Sequence, residues 1–223
     1  MPCVSVIAVS FQVLLLYRTY FYANSEIPLL DQAMIETAST APLVRLCHHR
    51  WAIPILAELH RTDGAKFVTL VNRLGLSRDA LSRTLETLMV QGWVVKNPGY
   101  GHPLRPEYVL TPAGMLLGDG ALGVFRVLQE SGLEEPGLRK WTLPVIYALA
   151  CGAERFSELL SLEGITGRAL TLTLKDLEDS GLVLREVRPT RPPTSVYRLR
   201  GEAKPLAGWG AELVRGLEAA LKS

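Results

Sequence analysis

The sequence predicts a mainly α fold with small β-hairpin wings (α+β), arranged as two tandem winged helix-turn-helix domains over residues 43–130 and 138–222. Three observations carry this. The chain repeats itself, in one unbroken register from Phe67 onward. Each copy runs from helical apolar spacing into a two-strand pattern, and each brackets its third helix with a hydroxyl residue before and a glycine after.

The repeat opens with Arg50-Trp51-Ala52-Ile53-Pro54-Ile55-Leu56 against Lys140-Trp141-Thr142-Leu143-Pro144-Val145-Ile146. From Phe67 onward the register holds without insertion: Phe67 answers Phe156, Leu70 Leu159, Ser77 Thr166, Ala80 Ala169, Leu81 Leu170, Leu85 Leu174 and Leu88 Leu177. It continues through Gly92/Gly181, Val94/Val183, Tyr108/Tyr197 and Leu110/Leu199. One ancestral unit used twice explains this; chance does not keep a register so long.

Within each unit, residues 50–61 and 140–151 form the first helix, with proline in the first turn, where its missing N–H costs little. A second helix is expected over 66–73 and 155–162. Ser77 and Thr166 then cap a third helix whose buried stripe is Leu81, Leu85 and Leu88 or Leu170, Leu174 and Leu177, and Gly92 and Gly181 end it. A β-like run at 93–96 or 182–185, a Pro-rich basic turn, and a run ending at Leu110 or Leu199 read as a hairpin. A further helix follows each hairpin, at 112–130 and 202–222, with residues 131–137 as the linker.

Composition sets loose bounds. With 48% hydrophobic and 21% charged residues in 223, the chain has enough apolar side chains for two modest cores, and disorder is excluded as its theme. A net charge of +2 neither demands nor excludes a polyanion, so charge placement decides. Three scattered cysteines make no disulfide framework, and the Cys47, His48, His49, His60 group lacks a second ligand pair, so neither metal nor other cofactor is expected and a reducing cytoplasm is the expected location. No Ser/His/Asp set, catalytic carboxylate pair or Gly-rich phosphate loop points to an enzyme. The apolar extension at residues 1–33 is short of a membrane span and lacks the basic region of a secretory signal. It reads as lying upstream of a start at Met34, or else as a weak membrane anchor; no membrane partner is expected.

The second copy resembles the HxlR family of bacterial regulators, through Lys140-Trp141-Thr142-Leu143-Pro144, Arg155-Phe156-Ser157-Glu158-Leu159, Gly164-Ile165-Thr166-Gly167-Arg168-Ala169-Leu170-Thr171, Leu174-Lys175-Asp176-Leu177-Glu178 and Gly181-Leu182-Val183-Leu184-Arg185. The first copy keeps the skeleton but has Thr69 for Glu158, Asp79 for Arg168 and Glu86 for Lys175. The resemblance implies a winged helix-turn-helix regulator of transcription that binds double-stranded DNA, in a family of single-domain chains working as dimers. Family members often carry a cysteine followed by proline ahead of the first helix, some of them sensing oxidants or aldehydes with it. Neither copy has it there, and Cys47 and Cys151 read instead as structural thiols.

A winged helix lays its third helix in the major groove while the wing touches the backbone. In the second copy this selects Arg168, Thr171, Leu172 and Lys175, with Arg185, Arg188 and Arg191 on the wing. In the first it selects Arg78, Ser82 and Arg83, interleaved with Asp79 and Glu86, and Lys96 and Arg105 on the wing beside His102. The competing class is a tandem winged-helix module for protein interaction or chromosome organisation that does not read sequence, and the acidic substitutions of the first copy speak for it. Leu206, Trp209, Leu213, Leu217 and Leu221 give the last helix an apolar face that either makes a homodimer or packs within its own chain.

Overall fold

A computed structural model describes residues 40–97, 107–191 and 193–222. It is mainly helical, with two small antiparallel sheets. The extension at 1–33, His102 and Arg105 lie outside the described residues.

A short helix α1 (Ala41–Cys47) precedes α2 (Ala52–Thr62), in which Pro54 occupies the first turn. The chain then forms β1 (Ala65–Lys66), α3 (Phe67–Leu74), α4 (Arg78–Val90), β2 (Val94–Asn97), β3 (Glu107–Leu110) and α5 (Pro112–Ser131). The same order follows a second time: α6 (Glu134–Gly137), α7 (Thr142–Ala150), α8 (Phe156–Leu159), α9 (Gly167–Asp179), β4 (Val183–Arg188), β5 (Thr194–Leu199) and α10 (Ala203–Ala220).

Local chemistry fixes the two third helices. Ser77 Oγ accepts from the Ala80 N–H and Thr166 Oγ1 from the Ala169 N–H, each at 3.2 Å, filling one orphan donor of the first turn. At the other end Gly92 and Gly181 take φ of +73° and +70°, which side-chain-bearing residues avoid. The following amides turn back, Trp93 N–H to the Leu88 carbonyl at 3.0 Å and Leu182 N–H to the Leu177 carbonyl at 2.9 Å, closing Schellman motifs. Leu81, Leu85 and Leu88, and Leu170, Leu174 and Leu177, are all buried, so the expected stripes face the core.

The hairpins differ from expectation in detail. β2 pairs β3 with Val94 opposite Leu110, and β4 pairs β5 with Val183 opposite Leu199. A third, unforeseen strand, β1, adds to β3 through Ala65 opposite Tyr108, and in the second half a lone bridge between Arg155 and Val196 stands in its place. The second helix of the second half is also shorter than expected. It stops at Leu159, and the Ser161 hydroxyl donates to the Glu158 carbonyl at 2.6 Å as the chain turns toward Gly164 at φ +77°.

The halves share one contiguous core from Leu43 to Leu217. Helix α1 packs on α7 and α10, and α5 runs against α10 in the opposite direction, Leu116 meeting Gly216, Gly120 meeting Leu213 and Gly123 meeting Trp209. A Cβ on Gly120 would lie 2.7 Å from the Leu213 amide nitrogen, so only hydrogen at these positions lets the two backbones approach. Arg50 adds an ion pair to Glu135, and this guanidinium, donating a hydrogen bond to the carboxylate, holds Glu135 below the usual carboxylate range.

The apolar face of the last helix is thereby occupied inside the chain. Leu206, Leu213 and Leu217 are buried and Trp209 covers Gly123, while Leu221 is exposed beyond the helix end. With that face covered, light scattering at tens of micromolar is expected to return the 24.5 kDa of one chain. Twice that mass would mean that a different surface associates.

Candidate nucleic-acid interface

Helix α9 is divided lengthwise. Its buried side is Leu170, Thr173, Leu174 and Leu177, and opposite them Arg168, Thr171, Leu172 and Lys175 are all exposed, at the spacing that puts them on one face. Leu172 is 54% exposed, an apolar side chain offered to solvent in the middle of a polar face. Thr171 donates its hydroxyl to the Gly167 carbonyl at 2.8 Å, which leaves oxygen lone pairs to accept. On the flank of the helix, Asp176 is held by Arg139, which withdraws one acid from the face.

Helix α4 presents Arg78, Asp79, Ser82, Arg83 and Glu86 in the same way, all exposed. Arg83 Nε donates to the Asp79 carbonyl at 3.3 Å, holding its guanidinium along the helix. Two cations and two acids alternate here, where α9 has Arg168 and Lys175 alone among the aligned positions.

The wing positions do not form one set. Lys96 is exposed on β2. On the second hairpin Arg185 stands opposite Tyr197 and Arg188 opposite Thr194, and because strand side chains alternate, these two arginines project from opposite faces of the ribbon. Arg185 donates to the Ser195 hydroxyl at 3.0 Å, whereas Arg188 is drawn back to Glu154 at 3.3 Å. Arg191 is exposed near the turn. Sequence reasoning passed over Arg198, exposed on β5 and 3.2 Å from Glu186, and Arg155, exposed where α8 begins beside the wing. Strand alternation marks Arg198 as outward-facing; nothing local marks Arg155, whose place depends on its bridge to Val196.

Trp51 and Trp141 pack against the core, and each is covered by the basic residue before it, Arg50 at 5.0 Å and Lys140 at 4.6 Å from the ring centre. Phe67 and Phe156 likewise pack against it. The thiols lie away from the polar faces. Cys47 is buried, and loss of hydration pushes its pKa up to about 12, while half-burial raises that of Cys151 against the opposing effect of a hydrogen bond from Tyr147. Burial thus keeps Cys47 as the thiol, and the thiolate is the form that reacts. Peptide mapping after maleimide treatment of the native chain is expected to find Cys47 unlabelled, and prompt labelling would mean that the α1 region opens. Among the described residues no group of His, Cys, Asp or Glu is placed to hold a metal, and no helix is long and apolar enough to cross a membrane.

Three helices with a tight turn before the third, and a β-hairpin beside it, are the arrangement of the winged helix-turn-helix class. Residues 138–215 match the family described as HxlR-like helix-turn-helix. The chain is 37% identical over 70 residues to the HTH-type transcriptional regulator YvaP of Bacillus subtilis, covering 31% of this chain and 65% of that one. It is 46% identical over 66 residues to an HTH-type transcriptional regulator of Methanothermobacter thermautotrophicus, covering 29% and 50%. To YdeP of Bacillus subtilis, also of HTH type, it is 43% identical over 61 residues, covering 27% and 48%. The chain thus spans from 48% to 65% of the length of these curated relatives.

Proposed function

We propose that the chain is a sequence-specific DNA-binding regulator of transcription, acting in the cytoplasm as two tandem winged-helix domains, residues 43–130 and 138–222. The third helix of each, α4 and α9, enters the major groove, and the wings lie on the phosphate backbone. The observation that carries the reading is the exposed row Arg168, Thr171, Leu172 and Lys175 on a helix capped at both ends, within the stretch matched by the HxlR-like family. Arg168 is the base reader; Lys175, Arg185 and Arg191 are phosphate partners, with Thr171 and Leu172 against base edges. In the first domain Arg78, Ser82 and Arg83 serve the groove, and Lys96 and Arg105 the backbone.

Selection of bound fragments from random DNA by the purified chain tests this. Enrichment of one motif is the expected result, and a pool as diverse as the input would overturn it. A second reading, an interaction or chromosome-organising module, draws on the exposed Asp79 and Glu86 of α4, which phosphates repel; sequence-independent retention would favour it.

Charge placement leads to a graded expectation for single variants. If about six phosphates are neutralised, log affinity falls against log salt with a slope near −5. Arg191→Ala is expected to flatten that slope by about one and weaken all sequences evenly. Arg188→Ala is expected to change affinity less, because Arg188 must first leave Glu154. On DNA of unselected sequence Asp79→Ala is expected to leave binding unchanged or tighten it, because a negative charge facing the phosphates is removed. Salt titrations of the three variants check the order, and a loss on Asp79→Ala equal to that on Arg191→Ala would contradict it.

A further inference from the structure

We infer that one chain alone occupies a complete operator, and that this operator is non-palindromic, with two half-sites offering different base edges. The inference rests on the reading of α4 and α9 as groove helices.

Its geometric basis is the crossing of α5 and α10. The register that runs through the repeat carries Gly120 onto Trp209 and Gly123 onto Glu212. Exchanging the halves therefore turns the contact of Gly123 with Trp209 into one of Gly120 with Glu212, a single residue from the observed contact of Gly120 with Leu213. The equivalent helices α5 and α10 run in opposite directions and cross near equivalent positions, as a two-fold rotation about an axis between them would make them do. Such a rotation preserves height along its axis. Under such a rotation α4 and α9 would stand at the same height, the arrangement by which a symmetric dimer sets two reading helices on half-sites about one turn apart. The shared core and the ion pair of Arg50 with Glu135 hold that relation fixed.

What the rotation superposes, however, is chemically unlike. Asp79 falls on Arg168, Arg83 on Leu172 and Glu86 on Lys175, all six exposed, whereas Ser82 and Thr171 are nearly equivalent. Carboxylates only accept, and in the major groove the amino group of cytosine is what a carboxylate takes. Beside them Arg83 suits the O6 and N7 acceptors of guanine. Helix α4 therefore fits G·C pairs that turn cytosine edges as well as guanine edges toward it. Helix α9 has no acid among these positions. Arg168 suits guanine, and the exposed methyl groups of Leu172 suit the C5 methyl of thymine. A homodimer would place one set of side chains on both half-sites and so select a palindrome; a single chain with two sets has no such constraint.

The test takes the sequence enriched by selection and adds two palindromes, each made by duplicating one half-site. Expected are one chain per duplex in sedimentation, two hydroxyl-radical footprints about ten base pairs apart, and at least about tenfold weaker binding to either palindrome. The triple variant Asp79→Arg, Arg83→Leu, Glu86→Lys, which gives α4 the face of α9, is expected to invert the preference toward the palindrome of the α9 half-site. Two chains on a palindromic selected motif would overturn the inference while sparing the DNA-binding reading. Failure to enrich any motif would overturn both.

Discussion

Gly216→Ala is expected to lower the free energy of unfolding by about 3 kcal/mol or more, the upper end of the cost of overpacking, because the added methyl meets the backbone carbonyl of Leu116 rather than a side chain that can swing away. Either α5 and α10 separate or both helices bend, and in each case leucines buried between them, Leu117 and Leu213 among them, lose contacts. Urea denaturation measures the effect. Since one core runs through both halves, the lowered midpoint is expected in a single transition, with the fluorescence of Trp51 and Trp93 changing together with that of Trp141 and Trp209. A midpoint equal to that of the native chain would mean that the helices already have room. Two separated transitions would mean that the halves fold independently.

Arg168→Ala is expected to weaken DNA binding by about 1–3 kcal/mol and to relax preference at one base pair, which distinguishes a bidentate base contact from a phosphate contact. Arg168 is exposed in the first turn of α9, where a groove helix meets base edges, and no acid of its own face restrains it. Binding measured against a set of single-base variants of the selected motif is the check. A uniform loss over the set would place Arg168 on the backbone, and no loss would remove it from the interface.

Where local chemistry decides the structure, the sequence was informative. The third helices were legible at both ends because a hydroxyl at Ser77 or Thr166 and a glycine at Gly92 or Gly181 act within a few residues of themselves. The elements that were not anticipated are those held only by distant partners. Strand β1 is two residues long and exists because Tyr108 and Glu107 lie alongside it. Helix α1 has no side-chain cap and rests on α7 and α10. At the candidate interface the exposed faces of α4 and α9 followed from helical periodicity, but the fate of the wing did not. Arg188 looked like a free cation because its partner Glu154 is 34 residues away in the chain. The cover over the apolar face of α10 was written as glycines at 120 and 123 of α5, a signal that says where backbones can approach but not which backbone arrives.

Joining the two halves through the stretch from Ser131 to Gly137 also changes how binding responds to abundance. A regulator assembled from separate subunits loses its partner on dilution, so its active form falls with the square of its concentration below the dissociation constant. On the proposed reading, each half of this chain has its partner at an effective concentration on the order of millimolar, set by the connecting segment rather than by expression. Occupancy of an operator would then rise in simple proportion to the number of chains, without a threshold, and a cell holding few copies would lose none of them to dissociation.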